Sequence, residues 1–80
     1  MHSTIEGPRV VGTKQTLKAL QEDEVHTLFI AKDANMNVLE EVLTLAKNSD
    51  IIVDYVDSME QLGLACNIKV KTATAALIKQ

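Results

Sequence analysis

Gly12, Lys14, Gln15 and Lys18 are the residues whose types and spacing suit chemistry most directly. A helix predicted from Thr13 to about Gln21 would begin just after the glycine. Its first backbone amides lack intrahelical acceptors, and the helix dipole adds positive character there, so both favour a phosphate. Lys14 and Lys18 stand at i and i+4 on one face and would add counterion-releasing phosphate contacts. Gln15 can donate and accept with one side chain, which reading a base edge requires. An ordinary solvated face of an amphipathic helix explains the same residues. On these residues alone that plainer reading is the simpler one.

Other constellations carry less. Gly7-Pro8-Arg9-Val10-Val11-Gly12-Thr13-Lys14 has the glycine spacing of a phosphate-binding P-loop. Threonine precedes the lysine, however, and no strong strand leads into Gly7, which argues against nucleotide hydrolysis. His2, His26 and Cys66 share no short ligand spacing, so no metal site is assigned. His26 reads as a strand-end or edge side chain, and Cys66 as a small buried hydrophobe. A single cysteine excludes an intrachain disulfide and fits a reducing, cytoplasmic setting. Nothing places a nucleophile beside a base, so no enzymatic activity, small-molecule substrate or cofactor is expected. No apolar signal core follows Met1-His2-Ser3, and no run approaches about 18 apolar residues, so no membrane partner is expected.

The chain has 80 residues, of which 46% are hydrophobic and 24% charged. That is one domain, and not a disordered one. A chain of this size buries only about 60% of its unfolded surface, so it must be compact with short loops. Phe29 and Tyr55 are its sole aromatics, which calls for an aliphatic core. It also argues against modules that stack several bases on aromatic platforms. The net charge of −3 is unlike a non-specific nucleic-acid binder. Glu22-Asp23-Glu24 carries as much negative charge as the whole chain shows net.

Residues 1–8 read as a short polar N-terminal extension with no assigned function, and 9–80 as a single domain. Arg9-Val10-Val11-Gly12 is a brief apolar lead-in. Leu17 and Leu20 mark the buried face of the first helix. The three acids after it oppose the dipole, so that end should fray or stay well solvated. Val25–Ala31 is a nearly continuous apolar run of strand length. Asn35 or Asn37 can cap the next helix, and Asn37 with Glu40 has the capping-box spacing. Val38, Leu39, Val42, Leu45 and Ala46 line that helix, and Asn48-Ser49-Asp50 breaks it. Residues 51–56 form a second strand. Ser58 and Gln61 form a capping box for a short helix, which Asn67 can end in the left-handed region. Thr72–Ile78 is a last strand, although its alanines would also suit a helix. Alternation of this kind predicts an α/β fold, with helices on both faces of one sheet.

Three segments together resemble the ribosomal protein family that binds RNA kink-turns, that of the archaeal L-seven-Ae ribosomal protein and its short bacterial relatives. They are Val-Gly-Thr-Lys-Gln-Thr-Leu-Lys-Ala-Leu (11 to 20), Leu-Phe-Ile-Ala-Lys-Asp-Ala-Asn (28 to 35) and Tyr-Val-Asp-Ser-Met-Glu-Gln-Leu-Gly-Leu-Ala-Cys-Asn-Ile (55 to 68). Leu-Gly-x-Ala-Cys (62 to 66) and Gly12 to Lys18 are the most specific parts, and the Lys14-Gln15 pair and Met59 look like the short bacterial branch. The resemblance implies a three-layer α/β/α sandwich with a mixed, about four-stranded sheet. It implies a non-enzymatic protein that recognises kink-turns in structured RNA, with the ribosome or another ribonucleoprotein as the assembly it would join.

The same resemblance assigns three RNA-binding segments. Gly12, Thr13, Lys14, Gln15 and Lys18 form the first, Lys32, Asp33 and Asn35 the second, and Ile68, Lys69, Val70 and Lys71 the third. Lys14, Lys18, Lys32 and Lys71 would position phosphates, Gln15 and Lys14 would read guanine edges, and Ile68 and Val70 would cover an unstacked nucleotide. The usual Asn-Glu pair of the archaeal pattern is Lys14-Gln15 here, which removes a carboxylate from guanine recognition. The usual proline is Met36, whose lack should loosen the entry to the second helix. Six of the eight basic residues fall in or beside these segments, Arg9 included, against Asp33 as the one acid. The acidic turn lies at the far end of the first helix, roughly 12–15 Å from its start, beyond a Debye length of about 8–10 Å. The rival reading is a protein–protein interaction or scaffold domain on the same fold with weak or no RNA binding, which the acidic turn would suit.

Overall fold

The computed structural model describes residues 7–47 and 50–79. His2, most of the proposed extension, and Asn48 with Ser49 of the predicted breaker lie outside them. The chain runs β1 (Arg9–Val11), α1 (Thr13–Gln21), β2 (Val25–Ala31), α2 (Met36–Lys47), β3 (Ile52–Val56), α3 (Met59–Ala65) and β4 (Thr74–Ile78). The four strands form one sheet in the order β1-β4-β2-β3. Strands β2 and β3 are parallel, and β4 is antiparallel to both its neighbours, so the sheet is mixed. The alanines of β4 do not make a helix. Ladder partners on both sides outweigh their intrinsic preference. Pro8, assigned to the extension, is already tied to the sheet, its carbonyl accepting the Ile78 amide at 2.9 Å.

Helices α1 and α2 pack on one face of the sheet, over Val25, Leu28, Ile30 and Ala76, with Ala19, Leu20, Val42 and Ala46 facing them. Helix α3 packs on the other, where Leu62 and Cys66 meet Ala31, Val56 and Ala75. This is the three-layer α/β/α sandwich, with the aliphatic core that the lack of aromatics requires. Burying a leucine as fully as Leu28 or Leu62 contributes about 1.5–3 kcal/mol.

One irregularity sets which side chains reach which layer. Val25 pairs with Ile78 and Thr27 with Leu77, so His26 is an extra residue in β2. A bulge reverses the parity of the side chains. Val25 therefore joins Leu28 and Ile30 under α1 and α2, where strict alternation would send it to the opposite face. His26 itself is exposed and bonded to the neighbouring Thr27 hydroxyl at 2.7 Å through Nδ1.

Two helices end in the same way. After α1, the amides of Asp23 and Glu24 bond to the carbonyls of Leu20 and Ala19 at 3.2 and 3.0 Å. After α3, those of Asn67 and Ile68 bond to Leu64 and Gly63, both at 3.0 Å. These are Schellman closures with Asp23 (φ 56°) and Asn67 (φ 62°) in the left-handed region. Of the two expected outcomes, the acidic turn takes the second: it is exposed to solvent and closed rather than frayed. Its orphan carbonyls are satisfied, and Lys79 anchors it by donating its amide to Glu24 at 2.7 Å and its Nζ to Asp23 at 3.3 Å. Asn67 ends α3 as its sequence predicts.

Candidate nucleic-acid interface

Strands β1 and β2 end, and β4 begins, at the same end of the sheet. The Gly12 amide donates to the Thr74 carbonyl at 3.0 Å, and the Ala31 amide to Ala73 at 2.9 Å. The Lys32 amide continues that row to Val56 at 2.8 Å. The start of α1, the β2–α2 turn and the loop 68–71 are therefore neighbours, although they come from three parts of the chain.

At the first of these, Gly12 takes φ 98° and ψ 154°, which a side chain would strain. Its carbonyl accepts the first helical bond, from Thr16 at 2.9 Å. Having no side chain, it cannot cap the helix, and α1 has no side-chain cap and no acid in its first turn. The amides at the start of α1 therefore keep their donor capacity and their positive dipole end. Lys14, Gln15 and Lys18 are exposed and together line a shallow groove along the helix with Leu17 and Gln21. Thr13 is half-buried beside them. The inner face of the helix is Thr16, Ala19 and Leu20, all buried, whereas Leu17 is only half-buried.

The second segment is exposed too, but its polar side chains bond to protein. Lys32 pairs with Asp57 at 3.4 Å. Asp33 Oδ1 accepts the amide of Met59, at the start of α3, at 2.8 Å. Asn35 Oδ1 accepts the Asn37 amide at 2.8 Å, and its carbonyl accepts Leu39 at 3.1 Å, so Asn35 caps α2. Asn37, which had the capping-box spacing, is inside the helix. The turn closes with Ala34 donating to Ala31 at 3.1 Å, immediately before Asn35, and the helix starts there. Met36 stands at the first helical position, where the family's proline would be, and is 70% exposed.

In the third segment the apolar pair divides. Ile68 is half-buried and packs toward Leu62 and Cys66, while Val70 is 68% exposed. Of the two, Val70 is the one open to solvent. Lys69 and Lys71 are exposed. Gly63 seats this loop: a Cβ there would collide with the Val70 carbonyl. Arg9 has a structural task that its place in the basic group does not reveal. Its Nη2 donates to the Cys66 carbonyl at 3.0 Å, at the end of α3. Burial pushes the Cys66 thiol up, with Arg9 a smaller opposing influence, so the thiol stays protonated and unreactive. Ser58 accepts the Gln61 amide at 3.1 Å, as its capping-box position predicts.

Gly63, Asp57 and Thr72 escape a reading of the sequence for site residues. Gly63 had a signal, as the glycine of Leu-Gly-x-Ala-Cys; the other two had none, because their partners are distant in sequence. Among the described residues no group of three or more acids, histidines and cysteines is arranged to hold a metal ion, and no helix is long and apolar enough to cross a membrane.

Comparison with known proteins agrees with this architecture. A bacterial protein named RNA-binding protein BH0128, from Halalkalibacterium halodurans, is 53% identical over 70 residues, covering 88% of this chain and 85% of its own length. RNA-binding protein YbxF of Geobacillus stearothermophilus is 41% identical over 73 residues, or 91% of this chain and 89% of that one. Among solved structures, the Giardia lamblia 15.5kD RNA binding protein superposes with a TM-score of 0.76 at 26% identity, over 91% of this chain and 62% of the longer protein. These relatives are named as binders of RNA rather than as enzymes. Residues 5–80 match the family described as ribosomal protein L7Ae/L30e/S12e/Gadd45, and the chain belongs to that family.

Proposed function

We propose that this chain is a non-enzymatic RNA-binding protein that recognises kink-turns in structured RNA and stabilises their bent form. The observation that carries the proposal is the open start of α1, with Lys14, Gln15 and Lys18 exposed beside uncapped amides. The bond from Gly12 to Thr74 ties that start to the strand following Lys69, Val70 and Lys71. Lys14, Lys18 and Lys71 bind phosphates, Gln15 and Lys14 meet guanine edges, and Val70 covers an unstacked nucleotide. Lys32 adds charge at the rim. Binding the bent conformer more tightly than the straight one shifts the RNA population toward the bend. The RNA-binding names of the relatives support the general reading, and the family match supports a ribonucleoprotein or ribosomal setting in the cytoplasm.

Titration against a simple kink-turn duplex and a straight duplex of equal length tests this, by gel mobility at low and moderate salt. The kink-turn should bind preferentially, and its affinity should fall steeply as salt rises. Lys14→Ala and Lys18→Ala should each weaken it and each lower the salt slope by about 1. Equal affinity for both duplexes removes kink-turn recognition. Failure to bind any structured RNA at low salt, with capture of a protein partner, establishes the scaffold reading instead.

A further inference from the structure

A carboxylate beside an RNA-binding surface repels phosphate, so the bonding of Asp33 matters. Its Oδ1 accepts the Met59 amide at 2.8 Å, joining residues 26 positions apart. The Met59 carbonyl in turn accepts the Thr72 amide at 3.1 Å. A single carboxylate therefore fastens the β2–α2 turn to the start of α3, and through it to the residue that follows loop 68–71. The other end of that loop is fixed by Ile68 on Gly63 at 3.0 Å and by Arg9 on Cys66 at 3.0 Å. An ionised acceptor at a helix N-terminus makes a stronger bond than a neutral one. Ser58 caps the same helix, but its bond to Gln61 stays within three residues and links no other segment.

We propose that Asp33 is a positioning residue for RNA recognition: through Met59 and Thr72 it sets loop 68–71 against the β2–α2 turn, so that Lys69, Val70 and Lys71 act together with α1. This rests on the RNA reading above. It also fixes the sign of an experiment. A carboxylate that merely stands near phosphate raises RNA affinity when removed, whereas a positioning carboxylate lowers it.

The test compares Asp33→Ala, Asp33→Asn and Ser58→Ala in the full chain. Binding is measured to the simple kink-turn duplex, and amide hydrogen exchange is followed without RNA. Asp33→Ala should weaken kink-turn binding at least about tenfold, the scale of one lost hydrogen bond to a charged group. It should also speed exchange at Met59 and Thr72. Asp33→Asn keeps an acceptor oxygen and should restore most of the affinity and the protection. Ser58→Ala removes a cap from the same helix and should leave affinity within about twofold, which separates positioning from general loss of α3 stability. Unchanged or tighter RNA binding by Asp33→Ala overturns the proposal. So does weakened binding with unaltered exchange at Met59 and Thr72, which marks a direct RNA contact. If the unmodified chain does not prefer the kink-turn, the RNA reading fails, and unaltered or altered exchange in Asp33→Ala still decides whether the fastening itself exists.

Discussion

The start of α1 and the β2–α2 turn carry similar side chains at the same end of the sheet, yet they are bonded differently. Lys14, Gln15 and Lys18 have no bonding partner among the described residues and line an open groove. Lys32, Asp33 and Asn35 bond to Asp57, Met59 and Asn37. A free lysine or amide at a helix start can give its full hydrogen-bonding capacity to a ligand. A bonded one must first give up its present partner, so its net gain is smaller. Residue type alone thus does not sort contacts from supports. The loop 68–71 combines both roles, with Val70 and two lysines outward, and Ile68 and the Val70 carbonyl held against α3.

The largest effect belongs to the support beneath that loop. Gly63→Ala places a methyl group against the Val70 carbonyl, which is backbone and cannot rotate away. Overpacking of this kind costs about 1–3 kcal/mol, which lowers the melting temperature of a domain this size by several degrees, at about 4–8 °C per kcal/mol. Kink-turn affinity should fall by about tenfold or more, equivalent to 1.4 kcal/mol, because Lys69, Val70 and Lys71 move together. Calorimetry with RNA titration checks both. A variant with wild-type melting and binding would show that the loop is not seated by this glycine.

A smaller effect separates free from paired cations. Lys18→Ala should cost about tenfold in affinity, as loss of a bond to a charged group does. Lys32→Ala should cost less than about threefold, since an exposed pair such as Lys32–Asp57 spends part of its charge internally. Equal losses in the two variants, measured side by side at one salt concentration, would erase the distinction between the two regions.

What the sequence made legible follows the range of the interaction. The apolar runs of β2 and β4, the Ser58 cap and the αL residue Asn67 are local patterns, and the structure realises each of them. Gly12 and Gly63 stood out as glycines, but only coordinates give their tasks: a backbone angle for one, a close approach for the other. The bulge at His26 was hidden because Val25–Ala31 is apolar nearly throughout, so parity left no trace in the pattern. Thr16 was hidden for a different reason. A threonine looks polar on a helix, yet here it is buried, and its hydroxyl has no bonding partner among the described residues. The partners of Lys32, Asp33 and Arg9 are tertiary, and no spacing rule reaches them.

The smallest effect concerns Asn35, whose two possible uses differ in what they make measurable. As a cap, its side chain holds the Asn37 amide, and Asn35→Ala should destabilise the domain by about 1 kcal/mol. Denaturant unfolding reads that loss directly. Asn35→Asp keeps a capping oxygen and should recover it, with added benefit from a negative charge at a helix start. The same aspartate adds a further acid beside Asp33 and Asp57 near the RNA, so affinity should drop slightly while stability returns. A true base contact at Asn35 predicts the reverse ranking for alanine: a large loss of binding with little change in unfolding. Stability and affinity moving in opposite directions at this one position would then assign Asn35 to the framework rather than to the ligand.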